Sequence, residues 1–145
     1  MTSINRSLGV CLGLIIALPT MVAADSNSEG VVSVKEVMES VITPATNTLW
    51  GAEDPQSDQE WQLLEDAAIT TITAGKLVAL GGTGSSDAQW ASKPEWQAFN
   101  DVMIKAAVDA LQAIRERNVD ALFVANDILY PPCEGCHIAF NPGVQ

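Results

Sequence analysis

The apolar positions of this chain fall into four runs with helical spacing, and the polar stretches between them mark where each run stops. Val34, Val37, Met38, Val41, Ile42, Ala45 and Leu49 recur at intervals of one, three and four, which places side chains on one face of an α-helix. Ser33 and Glu36 flank the start as a capping box, each side chain satisfying a backbone N–H of the other residue. The pattern predicts a first helix from Ser33 to Trp50, kinked by Pro44, which has no N–H to give the Ser40 carbonyl. Residues 51–56 make a turn. A second capping box, Ser57 with Glu60, opens a helix striped by Trp61, Leu64, Ala68, Ile72, Gly75 and Ala79. It ends at Gly81–Gly82, where left-handed backbone costs little. Ser92 and Glu95 read as a third capping box, with Pro94 in the first turn, a place that tolerates proline. Trp96, Phe99, Met103, Ala106, Ala110, Ala113 and Ile114 form that helix's stripe, which ends near Asn118. A fourth helix starts at Val119 or Asp120 and carries Leu122, Phe123, Asn126, Leu129 and Tyr130. Pro131–Pro132 predicts a break or sharp kink there, leaving residues 133–140 on a short helical segment of their own.

Four amphipathic helices, no strand signal and short connections predict an all-α fold, an antiparallel four-helix bundle. None of the four buries its stripe alone. Packed together they are expected to leave an apolar pocket beside the last helix. The connection at residues 81–86 is glycine-rich, but it is no phosphate cradle, because no Gly-Lys-Ser/Thr follows and no strand precedes it.

The first 24 residues change the picture. Arg6 precedes an apolar run, Leu8 to Leu18, and Val22-Ala23-Ala24 stands before Asp25. This is the layout of a signal peptide cleaved after Ala24. The run is interrupted at Pro19 and is shorter than the ~20 apolar residues of a membrane span, so the mature chain is expected to have no anchor and to be periplasmic. Cys11 goes with the leader. Residues 25–32 form a flexible lead-in and 33–145 the single domain. The whole chain carries a net charge of −11, and removal of the leader, with its one arginine, makes it one unit more negative. Nucleic acid and anionic membranes are poor partners for such a field, and a protein with a basic docking patch is a better one.

The chemistry lies in Cys133-Glu134-Gly135-Cys136-His137. On a helix, residues at i, i+3 and i+4 share a face, so two thiols can add to the vinyl groups of one porphyrin while the imidazole reaches its iron. This is the attachment motif of a c-type haem. A thioredoxin-like redox pair would want a βαβ context, and a structural zinc site would want a fourth ligand; after loss of the leader no further Cys or His remains. Export agrees with haem c, which is joined to protein outside the bacterial cytoplasmic membrane. An enzyme is not expected, since the only histidine is committed to iron and no Ser-His-Asp or Cys-His arrangement can be built. The tryptophans, Trp50, Trp61, Trp90 and Trp96, are read as general core.

A leader, four helical stretches and a haem motif near the C-terminus make the chain resemble the class II cytochromes c, the group of cytochrome c prime and its low-spin, methionine-ligated relatives. The resemblance covers essentially all of the mature chain. It implies one covalent haem held by Cys133 and Cys136, with His137 as proximal ligand and Met38 as sixth ligand. The implied function is periplasmic electron transfer; the alternative is a five-coordinate, cytochrome c prime-like protein that binds nitric oxide or carbon monoxide. Relatives often form dimers, so a homodimer is also implied. The chain departs from the pattern at Val34, where many relatives have an arginine near the haem propionates, at Ile138, often a lysine, and at the paired prolines. By this reading Met103 is core filler.

Overall fold

The computed structural model describes residues 31–141 and Gly143; the leader with its cleavage site, Cys11, residues 25–30 and Pro142 lie outside the described residues. The described residues are mostly helical, with no strand among them. Helix α1 spans Val34–Val37 and passes through a π-helical segment, Met38–Ile42, into α2, Thr43–Trp50. Helix α3 spans Asp58–Leu80, α4 Asp87–Ala91, α5 Pro94–Arg115 and α6 Val119–Phe140.

The first two capping boxes form as expected. The Ser33 and Ser57 hydroxyls accept from the backbone N–H of Glu36 and Glu60, whose carboxylates accept from the backbone N–H of the capping serines. The hydrogen bonds from Ser33 and from Gln56 and Ser57 hold these two carboxylates below the usual range. Helix α3 stops at Gly81, whose φ of +86° lies in the left-handed region, where a side chain would clash. The third box does not form. Ser92 donates instead to the Gln89 carbonyl, closing α4, and α5 begins at Pro94 without a side-chain cap. Proline makes this workable, because the N–H it lacks would have had no partner there.

Two further expectations are corrected, the place of Val41 on the buried stripe of the first helix and the break at Pro131–Pro132. The chain around Pro44 accommodates proline through the π segment just before it, in which the Thr43 N–H reaches back to the Met38 carbonyl. Val41 consequently comes to the surface and Thr46 is buried, its hydroxyl donating to the Ile42 carbonyl. At the other end, α6 runs unbroken through Pro131 and Pro132. The two carbonyls that lose a helical donor belong to Asp127 and Ile128, both exposed, so water can satisfy them. The core contacts of Leu129, Cys133, Cys136 and Phe140 outweigh a local penalty of about 3 kcal/mol for each interior proline.

Helices α3 and α5 run antiparallel. Trp96 Nε1 donates to the Val78 carbonyl at 3.0 Å near one end, and Arg115 pairs with Glu65 and Arg117 with Asp58 at the other. Both helices bury small residues, Ala67, Ala68 and Ala74 on α3 and Ala106, Ala107 and Ala110 on α5. A Cβ on Gly75 would lie 2.8 Å from Ile104 Cγ1 and 2.9 Å from Met103 Cε. Helices α5 and α6 are antiparallel as well, with Phe99 against Gly135 and Trp96 against Phe140. The amide of Asn126 on α6 donates to the Leu49 carbonyl at 2.7 Å, tying α6 to the end of α2.

The start of α1 is held from a distance. Asp87, only 4% exposed, accepts from the Val34 N–H at 2.8 Å and the Gly84 N–H at 2.9 Å through one carboxylate oxygen. Replacing Asp87 with alanine leaves two inward N–H groups without a partner and is expected to cost about 2–3 kcal/mol, measured by chemical denaturation. Gly75→Val is expected to lower stability by about 1–3 kcal/mol through overpacking of the α3–α5 seam, read as a fall in Tm.

Candidate functional site

A cavity of about 510 Å³ opens where α1 and the π segment face α6, within the range of roughly 300–1,000 Å³ usual for small-molecule sites. Three groups of side chains meet on it. Helix α6 contributes Cys133, Cys136, His137 and Phe140; α1 and the π segment contribute Val34, Lys35 and Met38; α4 and α5 contribute Trp90, Trp96, Phe99 and Met103. The four residues expected from the sequence to form one site, Met38, Cys133, Cys136 and His137, thus share a single cavity. Their meeting depends on α6 staying helical through its prolines, since Pro132 is itself part of the wall.

Local geometry sets each group. Cys133, Cys136 and His137 follow one another on one face of α6, and the Cys133 thiol donates to the Leu129 carbonyl one turn back, at 3.4 Å. Glycine at position 135 permits close packing of the motif on α5, because a Cβ there would stand 2.6 Å from the Phe99 ring. Three aromatic rings form one wall. Trp90 and Trp96 stack with centroids 5.7 Å apart, and Phe140 meets Trp96 edge-on at 5.1 Å. Two of the four tryptophans therefore border the cavity rather than only filling core, while Trp61 is buried core and Trp50 packs at the surface on Tyr130. Met103, expected as filler, is buried and also borders the cavity.

Two contributors were missed from sequence. The segment Asp87–Ala91, which lies between the glycine-rich connection and the third predicted helix and for which the spacing predicts no element, forms α4 and presents Asp87 and Trp90. Its five residues, Asp87-Ala88-Gln89-Trp90-Ala91, are too few to establish a helical period. Lys35, beside the departure at Val34, is the one lysine or arginine on the lining among the described residues.

The electrostatics of the cysteines separate the chemical alternatives. Burial raises the Cys133 thiol above its ordinary value. Burial, with Cys133 as a second cause, pushes Cys136 up to about 11. Both sulfurs are therefore protonated thiols at neutral pH, whereas a thioredoxin-like pair needs an attacking thiol lowered toward neutrality. Among the described residues no three Cys, His, Asp or Glu side chains cluster to hold a metal ion directly, so a zinc site made of side chains alone has no donor set.

The raised thiols give a pH signature with a definite sign. While both sulfurs are free, the folded chain resists ionisation that the unfolded chain undergoes near pH 9, so stability is complete below that pH and is lost as pH rises toward about 11. Denaturation midpoints between pH 8 and 11 should fall more steeply for the free-thiol chain than for Cys136→Ser.

No protein-family model matches this chain, and neither a curated protein nor a solved structure is significantly similar to it.

Proposed function

We propose that this chain is an exported, periplasmic class II-type cytochrome c that carries electrons through one covalently bound haem, folded as an antiparallel four-helix bundle of the α1–α2 run, α3, α5 and α6. The observation that carries the reading is the shared cavity: a Cys-x-x-Cys-His face on α6 and a methionine from the π segment border the same apolar space. Cys133 and Cys136 would hold the haem through thioethers, and protonated, half-buried thiols on one helical face are suited to adding to two vinyl groups. His137 and Met38 would bind its iron. Bound there, haem supplies a one-electron iron couple, whose potential a His/Met pair raises. Trp90, Trp96 and Phe140 keep one side of the space apolar, and Lys35 offers a positive charge to the anionic edge of the group.

The reading extends to partners through charge. An acidic chain attracts a redox partner with a basic patch, and such steering weakens with salt. No helix among the described residues is long and apolar enough to cross a membrane.

Attachment is tested by denaturing electrophoresis stained for haem. The wild type should give a stained band, and Cys133→Ser combined with Cys136→Ser should lose it. Haem that extracts freely into acidified organic solvent would overturn the covalent assignment. Ligation is tested by Met38→Ala on holoprotein. The ferric spectrum should pass from low-spin to high-spin, the methionine-to-iron charge-transfer band should disappear, and carbon monoxide should bind far more readily. A wild type that is already high-spin would remove Met38 as a ligand and replace electron transfer with gas binding as the proposed role.

A further inference from the structure

The run from Val34 to Trp50 contains one residue more than a straight α-helix needs to present its buried face. We propose that this extra residue, accommodated in the π segment and held there by Pro44, determines which side chain turns toward the cavity, making Pro44 a positioning residue for Met38. This inference rests on the reading of the cavity as a haem site.

Burial along the run carries the argument. Downstream, Ile42, Ala45, Thr46 and Leu49 are buried and define the core face; upstream, Val34 and Val37 are buried, at 5% and 6% exposure. Thr43 borders the cavity and marks its direction. An α-helix turns about 100° per residue. Extended backward from Ile42–Leu49 without interruption, it would carry Val37 about 130° off the core face, out into solvent. Met38 would then lie within the core face, about 140° from the direction of Thr43, and Glu39 would take the cavity side. One extra residue returns everything upstream by about one step of rotation, bringing Val34 and Val37 inward and Met38 to about 40° from Thr43. The observed burial follows the second register: Val34 and Val37 are inside, and Met38 borders the cavity.

Pro44 supplies the reason the insertion sits where it does. In a regular helix its ring would press on the Ser40 carbonyl and its missing N–H would leave that carbonyl unbonded. The Thr43 N–H instead reaches five residues back to Met38, opening the turn ahead of the ring. Such π turns are a recognised way to absorb an extra residue, and they recur at functional sites. Without the proline the balance shifts toward the uninterrupted register by about two orders of magnitude.

The test compares holoprotein of the wild type, Pro44→Ala, and Pro44→Ala combined with deletion of Ser40. The combined variant removes the proline and the extra residue together, so a regular helix then points Met38 as the wild type does. Two signals are read on each: the methionine-to-iron charge-transfer band, and the ring-current shift of the Met38 methyl in the ferrous state. Pro44→Ala should lose most of the band and move the methyl toward its ordinary position, and the combined variant should regain both. If Pro44→Ala keeps the wild-type band and methyl shift, or if the combined variant fails to regain them, the positioning role is overturned while Met38 ligation stands. A wild-type methyl with no ring-current shift overturns both together. A wild type with the methyl shift and no band overturns ligation alone, and the methyl comparison then decides the positioning.

Discussion

The shape of the cavity depends on one carboxylate. Asp87 lies inside the protein and takes the first N–H of α1 together with the N–H of Gly84. A buried carboxylate survives only when it is well bonded, and here an α-helix N-terminus, with its partial positive charge, meets it. The glycine loop closes around it: a Cβ on Gly84 would fall 2.5 Å from the Asp87 carboxylate, and one on Gly82 would fall 2.9 Å away. One side chain thus fixes the start of α1, the path of the loop and the placement of α4, and with them Met38 and Trp90. The glycines that look like a mere connection in the sequence are there because a carboxylate and two backbone segments approach too closely for any side chain.

The opposite wall depends on a different balance. α6 holds its motif residues in one helical frame although two adjacent prolines interrupt its hydrogen bonds. The lost bonds fall on the exposed side of the helix, while the residues beyond the prolines are anchored by Phe140 against Trp96 and by the Phe99–Gly135 contact. α6 packs along α5, and α1 packs on α3. The cavity occupies the space where the two pairs face each other. In the proposed holoprotein that space holds the haem, and the apolar lining that would otherwise be a destabilising void becomes its binding surface.

Much of this was legible in the chain. Helical periodicity located all four long helical stretches, Ser33-Glu36 and Ser57-Glu60 marked two starts, and Gly81 marked a stop, because these signals arise from interactions within a few residues. The grouping of Cys133, Cys136 and His137 on one face followed from helix geometry. The third capping box does not form because Ser92 stands between two helices and its hydroxyl donates to the Gln89 carbonyl at the end of α4.

What the sequence could determine by itself, then, was each element that local spacing encodes, together with the kind of chemistry its cysteines and histidine can support. What only the tertiary structure decided was where those elements meet. Whether Pro131–Pro132 breaks α6 turns on packing against α5, which no local rule contains. Whether Val41 or Thr46 is buried turns on a one-residue insertion near Pro44, which shifts the helical phase while leaving the composition unchanged. That Asp87 caps a helix 53 residues earlier in the chain is a long-range hydrogen bond, and such bonds leave no periodic trace. Local propensities are sums over neighbours in sequence, whereas the cavity is built from neighbours in space.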